Sequence, residues 1–362
     1  MITVAKDNLA VAVRELGRLR WENKVEGIAF NGQGMVLIAG CAAKGTWHTR
    51  TILANGPIPK SPCWNGSFRH LARMLNGIAC SAVEFDCDGS RPRLMDADGS
   101  AHDWPAEPGA IGPTLGACEP VAALPWAILA KQLKKSTFHG LKTFLQPGSQ
   151  FLQLVGTGKT VELVASNFTN RTVRALVEAR QPGGKPFHIN LGGDAVEWLS
   201  RARDGQVVMG ENESLISLAI RQHDRETAAI LLQKPADPIP DCRTMMVPRS
   251  QWGPGCQVNV RELKRAFAQL MAPAGGVYSG TVELAVQPGR LSLAGSFSMG
   301  TMKARVRVPC DASHSASARF DATALAPALR SVWTRELVIH WAGRQRLVLR
   351  SKGLIQYVNA LG

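Results

Sequence analysis

None of the eight cysteines, at positions 41, 63, 80, 87, 118, 242, 256 and 310, stands in a C-x-x-C pair. Structural metal sites and disulfide frameworks need close, regular spacings, so this distribution predicts reduced core thiols instead. The eight histidines contain no H-x-x-x-H pair, and no acidic cluster suggests a two-metal nuclease. No catalytic residue, metal ligand or cofactor is therefore assigned. No run reaches the ~18 uncharged apolar residues that a membrane helix needs. Residues 1–7 lack the apolar stretch of a signal peptide. These absences predict a cytoplasmic protein, not an enzyme, with no membrane association.

Acidic residues are also in short supply. Forty-two Lys and Arg face 28 Asp and Glu, a formal net charge of +14 over 362 residues. Such an excess attracts polyanions. One phosphate-binding signature is incomplete. Gly156-Thr157-Gly158-Lys159-Thr160 resembles the end of a P-loop, but the glycine required five residues before Gly158 is Gln153. The following Val161-Glu162-Leu163-Val164-Ala165 has the pattern of a strand, so the glycines are assigned to a hairpin turn.

What the chain does contain is a repeat. Ile2-Thr3-Val4, Val121-Ala122-Ala123-Leu124 and Gln257-Val258-Asn259-Val260 each run straight into an amphipathic helix centred on Leu9, Leu129 or Leu263. The copies lie 120 and 134 residues apart, a period of tandem domains and not of solenoid repeats, whose periods are roughly 20–50 residues. A second helix follows each first one, around Leu71, Val196 and Leu325, at offsets of 62, 67 and 62 residues. Each domain is thus two similar halves, a strand and a helix followed by further strands. Alternating runs such as Thr281–Val286 and Leu291–Ala294, joined by Gln287-Pro288-Gly289-Arg290, supply hairpins. The fold class expected is α+β, with domains at 1–118, 119–248 and 249–362.

All six predicted helices or their ends are basic. They carry Arg14, Arg18 and Arg20; Arg69 and Arg73; Lys131, Lys134 and Lys135; Arg201 and Arg203; Arg261, Lys264 and Arg265; Arg330 and Arg335, with Lys24 and Lys142 in adjoining loops. This placement suits a helical surface facing a phosphate backbone.

Val164-Ala165-Ser166-Asn167-Phe168-Thr169-Asn170-Arg171, after a hairpin, resembles the V-A-T-D-G-H-R-L segment of bacterial DNA sliding clamps, the β subunit of the replicative polymerase III. Ile239-Pro240-Asp241-Cys242-Arg243 resembles their F-P-D-Y-R element, and Leu263-Lys264-Arg265-Ala266-Phe267-Ala268 the helix opening their last domain. Tyr357-Val358 stands where members carry a similar pair. The departures are Phe168 for a glycine, Cys242 for an aromatic and Thr244 for a basic residue.

The resemblance implies a divergent clamp: outer β-sheets, inner helices and a ring closed by a homodimer around duplex DNA, bound without regard to sequence. It implies that a DNA polymerase and a clamp loader attach through short peptide motifs. Their groove would comprise Val164, Ser166, Phe168, Arg171, Pro240, Arg243, Met245, Val358 and Leu361. Leu270-Met271-Ala272-Pro273 is expected at the contact between chains. Two other readings stay open: a basic clamp-fold protein that never closes into a ring, and an enzyme using Cys242 or a histidine.

Overall fold

The computed structural model describes all residues except 32–33, 58, 60–62, 88–90, 97–98, 110, 112–117, 136–151, 157, 168–170, 181–184, 202–203, 224, 236–238, 273–279, 298–302, 343–345 and 362. Its described helices fall where the repeat places them: α1 (Lys6–Gly17), α2 (Phe68–Gly77), α3 (Trp126–Lys135), α4 (Gly193–Leu199), α5 (Val260–Met271) and α6 (Ala322–Arg330). Each follows a strand directly or after one residue. The helices pack in consecutive pairs, α1 with α2, α3 with α4 and α5 with α6.

Apolar spacing decides which side of each helix is buried. In α1, Leu9, Ala12, Val13 and Leu16 recur at helical period and are buried. Leu263, Ala266, Phe267 and Leu270 repeat the pattern in α5. Caps differ between the copies. Asn259 Oδ1 accepts from the Arg261 and Glu262 amides at 3.0 and 3.3 Å, and Asp321 Oδ1 from Thr323 at 2.7 Å. Ala5, at the same place before α1, offers no side-chain acceptor.

The described strands form three sheets. A five-stranded sheet runs in the order Ala54–Asn55, Ile2–Ala5, Ala82–Asp86, Arg93–Met95, Ala101–Asp103. A nine-stranded sheet runs Ala106–Pro108, Cys63–Gly66, Val25–Asn31, Gly34–Cys41, Thr46–Ile52, Arg225–Gln233, Leu215–Gln222, Gln206–Glu211, Glu119–Pro125. The twelve-stranded sheet runs Phe187–Leu191, Leu152–Gly156, Thr160–Ser166, Arg171–Glu178, Leu354–Asn359, Arg346–Ser351, Glu336–Ala342, Gly255–Asn259, Lys303–Asp311, Arg290–Phe297, Gly280–Gln287, Ala316–Asp321. Residues 1–123 and 204–236 make one compact unit, and 124–203 with 237–362 the other.

Two joins knit this sequence. Thr46–Ile52 pairs with Arg225–Gln233, from Thr46↔Leu232 to Arg50↔Ala228. Arg171–Glu178 pairs with Leu354–Asn359, from Arg171↔Val358 to Ala175↔Leu354. The P-loop-like segment is a hairpin turn as its composition implies, since Gly156 pairs with Val161 and Leu152 with Ala165. Of the residues expected at the contact between chains, Leu270 and Met271 are 0 and 4 % exposed and pack into the core of the last copy, because they continue the apolar stripe of α5. Ala272 is exposed, and Pro273 lies outside the described residues.

The caps give a direct test. Replacing Asn259 with Ala removes acceptors for two otherwise orphaned amides and is expected to lower unfolding stability by about 1 kcal/mol. Ala5→Asn supplies the missing acceptor and is expected to raise stability by about 0.5–1 kcal/mol. Denaturant melts of the two variants check the pair.

Candidate functional sites

The segment from Ile239 to Trp252 is fixed by one buried side chain. Gln153, 0 % exposed in the strand Leu152–Gly156, donates from Nε2 to the Pro240 carbonyl at 2.8 Å. Its Oε1 accepts from the Cys242 amide at 2.7 Å. The side-chain amide thus stands in for a paired backbone, which satisfies polar groups that burial would otherwise penalise. Downstream, Asp241 caps a 3-10 turn (Cys242–Met245) and takes the Arg243 guanidinium on both oxygens, at 2.6 to 3.0 Å. That guanidinium holds the Asp241 carboxyl below its usual range. Arg243 is therefore already paired.

Strand alternation sorts the neighbouring side chains onto two faces. Gln356 Nε2 donates to the Ala328 carbonyl in α6 at 2.8 Å, so Gln356 and Val358 lie on the helix side. Arg171, opposite Val358, shares that side. It is 4 % exposed, and its Nη2 donates to Gln356 Oε1 at 2.7 Å. Burial pulls its guanidinium down to about 9, which leaves it charged at neutral pH; its Nε has no hydrogen-bond partner among the described residues. Asn167 Oδ1 and Ser166 Oγ bond to the Arg171 amide and carbonyl, at 2.9 and 3.3 Å.

On the opposite face, Arg174, Leu176, Arg350, Ile355 and Tyr357 border a groove of about 510 Å³, together with Glu162, Arg243, residues 246–249 and Trp252. Met246, Val247 and Trp252 close over Val348 and Tyr357 there. Trp252 is positioned by its Nε1 bond to the Val247 carbonyl (3.0 Å) and by the Tyr357 ring at 6.4 Å.

Of the nine residues predicted to form a groove, Val164, Ser166, Arg171 and Val358 are buried at 0, 2, 4 and 0 % exposure. Arg243 and Met245 are half-buried, Pro240 and Leu361 are exposed, and Phe168 lies outside the described residues. Arg243 alone of the nine lines the 510 Å³ groove. Gln153 was not among the predicted residues, although a lone amide in Phe151-Leu152-Gln153-Leu154-Val155 signals a buried polar partner. Cys242 has the opposite of a reactive environment: it is 1 % exposed, and burial pushes its thiol up to about 11.

The helix cations divide into two kinds. Arg14, Arg18, Arg20, Arg69, Arg73, Lys131, Arg261, Arg265, Arg330 and Arg335 are exposed. Among the described residues, no carboxylate forms a salt bridge with Arg14, Arg18, Arg69, Arg73, Lys131, Arg261 or Arg265. Lys24, Lys264 and Arg201 are tied down. Lys24 Nζ reaches the Leu16 carbonyl at the end of α1 (2.8 Å) and Glu26 (2.5 Å). Lys264 Nζ donates to the Arg330 and Val332 carbonyls at 3.1 and 2.7 Å. Exposed Arg201 pairs with Glu197 at 3.1 Å. The side chains of Lys134 and Lys135, and Lys142 and Arg203 altogether, lie outside the described residues. No described helix is long and apolar enough to cross a membrane, and no described cluster of His, Cys, Asp or Glu fits a metal ion.

Gln153→Leu keeps the volume and deletes both hydrogen bonds. It is expected to cost about 1–3 kcal/mol, since the buried Cys242 amide loses its acceptor. Amide exchange at Cys242 should accelerate ahead of exchange in the neighbouring strands.

No family model and no curated protein matches the chain. Solved structures do. DNA polymerase III subunit β from Pseudomonas aeruginosa matches with a TM-score of 0.74 and 12 % identity, over 100 % of both chains. The DNA polymerase sliding clamp from Bacillus subtilis matches with a TM-score of 0.72 and 11 % identity, over 100 % of this chain and 98 % of that one. A P. aeruginosa sliding clamp bound to griselimycin matches at 0.72 and 14 %, over 99 and 98 %. From end to end, the chain has the fold of the bacterial DNA sliding clamps.

Proposed function

We propose that two copies of this chain close head to tail into a ring of six domains, three per chain at 1–118, 119–248 and 249–362. The ring encircles duplex DNA and tethers a polymerase to it. One observation carries this reading. The chain makes the same strand join twice, Thr46–Ile52 to Arg225–Gln233 and Arg171–Glu178 to Leu354–Asn359. Among the described residues, the third copy of each partner lacks the corresponding join. Lys303–Asp311 pairs along one edge with Arg290–Phe297, while on its other edge only Cys310 and Asp311 are paired. Ala101–Asp103 pairs only with Arg93–Met95. Unpaired strand edges are templates for another strand, and these two have the positions that complete the pattern between chains. A head-to-tail contact yields a closed ring when its rotation closes.

The charges agree. Residues 297–309 carry Lys303, Arg305 and Arg307 and no acid; residues 94–110 carry Asp96, Asp98, Asp103 and Glu107 and no Lys or Arg. The exposed helix cations supply loose, sequence-independent attraction to phosphates, suited to sliding. The polymerase and a clamp loader dock through short peptide motifs at Pro240, Arg243, Met245 and Leu361, the described members of the expected groove that are not buried. The pairing of Arg243 with Asp241 narrows which motifs fit.

Light scattering at tens of micromolar is expected to give twice the chain mass of 39.0 kDa. A species of 39.0 kDa alone would instead favour the open DNA-binding reading. Reversing charge at Arg14, Arg69, Lys131 and Arg265 is expected to weaken duplex binding and flatten its log–log salt slope by roughly 3–4. Reversal at Arg225, Arg290, Arg319 and Lys352, exposed on strands and hairpin ends, should leave both nearly unchanged; equal effects would refute the helix-face assignment.

A further inference from the structure

One large exposed aromatic stands beside cationic side chains at the end of α6. Trp333, in the turn after α6, is 67 % exposed and borders a hollow of about 610 Å³ with Arg261, Lys264, Thr334 and Arg335. The turn is held from three sides. Lys264 Nζ bonds the carbonyls of Arg330 and Val332, and lies 5.5 Å from the centre of the Trp333 ring. The Val260 amide donates to the Arg335 carbonyl at 2.9 Å, and Thr334 Oγ1 to the Glu336 carbonyl at 2.6 Å. Lys264 is half-buried, and desolvation lowers its affinity for a proton. Its role is thus to fix the turn and the ring. Around this platform Arg261, Arg265, Arg330 and Arg335 are exposed, against Glu262 and Glu336. The corresponding ends of α2 and α4 run into Ile78-Ala79-Cys80 and Ser200-Arg201-Ala202, with no aromatic. The feature belongs to the last copy alone.

We infer that Trp333 is a stacking platform for an unpaired DNA base, flanked by cations that hold the adjoining phosphates. Single-stranded nucleic acid is bound by this combination of a π-face and a basic track. Paired bases are already stacked and offer their faces to nothing, so duplex slides past while a single strand is gripped. A ring that loads on duplex then halts where the duplex ends in a single strand. The inference rests on the DNA-binding reading above.

The test uses the full chain, a labelled oligothymidylate and a blunt duplex of equal length, with Trp333→Leu, Trp333→Phe and Trp333→Gln variants. Stacking on one base predicts that Trp333→Leu and Trp333→Gln lose about fivefold to a hundredfold in affinity for oligothymidylate. Trp333→Phe should keep most of it, and duplex affinity should not move. Because the residue is largely exposed, melting temperatures matching wild type are expected and separate loss of stacking from loss of fold. Unchanged oligothymidylate binding by Trp333→Leu would overturn the inference, as would an equal fall for both DNAs. Wild-type binding of duplex with no Trp333-dependent grip on single strand would remove the platform and leave the clamp reading intact. A Trp333-dependent grip without duplex binding would do the reverse.

Discussion

A strand edge is a row of amide and carbonyl groups that must be paired, covered or left to water. The architecture follows from how this chain meets that demand. Every repeat places strands beside its helices, and the two joins within the chain extend a sheet from one repeat's strand onto another's. Register then fixes which side chains meet the helices, because a slip of one residue would exchange the faces. At the second join this puts Arg171, Gln356 and Val358 on the helix side, and Arg174, Ile355 and Tyr357 on the other. The groove under residues 246–252 exists because that second face is left for a linker to cross. Gln153 sets where the crossing begins.

Cations on the helices serve two physical purposes, and only burial and partners separate them. Lys24 and Lys264 spend their charge on carbonyls at helix ends, where the last carbonyls have no backbone donor and the dipole favours a cation. Arg14, Arg69, Arg73 and Arg265 hold no carboxylate among the described residues and stay hydrated. Hydrated, screened charges attract a polyanion without ordering it, as a sliding contact requires. Arg171 is a third case, a buried cation bonded to a neutral amide. Such a group is costly to bury, so it constrains the junction more than it stabilises it.

Much of this was legible in the sequence because it is local. Helix positions followed from leucines at helical spacing after short apolar strands, and the turn at Gln287–Arg290 from its Pro-Gly pair, where Gln287 does pair with Arg290. The false P-loop was dismissed correctly for lack of a following helix. Long-range consequences were not legible. Nothing in the pattern of Leu270 and Met271 distinguishes a stripe facing its own core from one facing a neighbour. The predicted groove gathered residues by order along the chain, yet alternation sends Val358 and Tyr357 to opposite faces, and four of its nine members are buried. Gln153 was noticed only as a missing glycine, since its partners, Pro240 and Cys242, lie 87 and 89 residues away.

In the proposed ring, charge on the two edge strands would decide how copies meet. A strand whose sequence brings Lys303, Arg305 and Arg307 would be disfavoured beside its own copy, because like charges across a strand pair destabilise it. The stretch with Asp96, Asp98, Asp103 and Glu107 repels its own copy in the same way. Self-pairing of either edge is therefore disfavoured, and basic-to-acidic pairing is left. Each copy carries one stretch of each kind, so the proposed contact would be directional and two copies would use all four edges. Asp103 is already paired with Arg93 at 2.9 Å, both more than half exposed. That pair is worth little in water, so exchanging Arg93 for a cation of the opposite edge costs little. A closure built this way would weaken with salt and open without unfolding a core, the property the proposed ring needs if it is to be placed on DNA that has no free end.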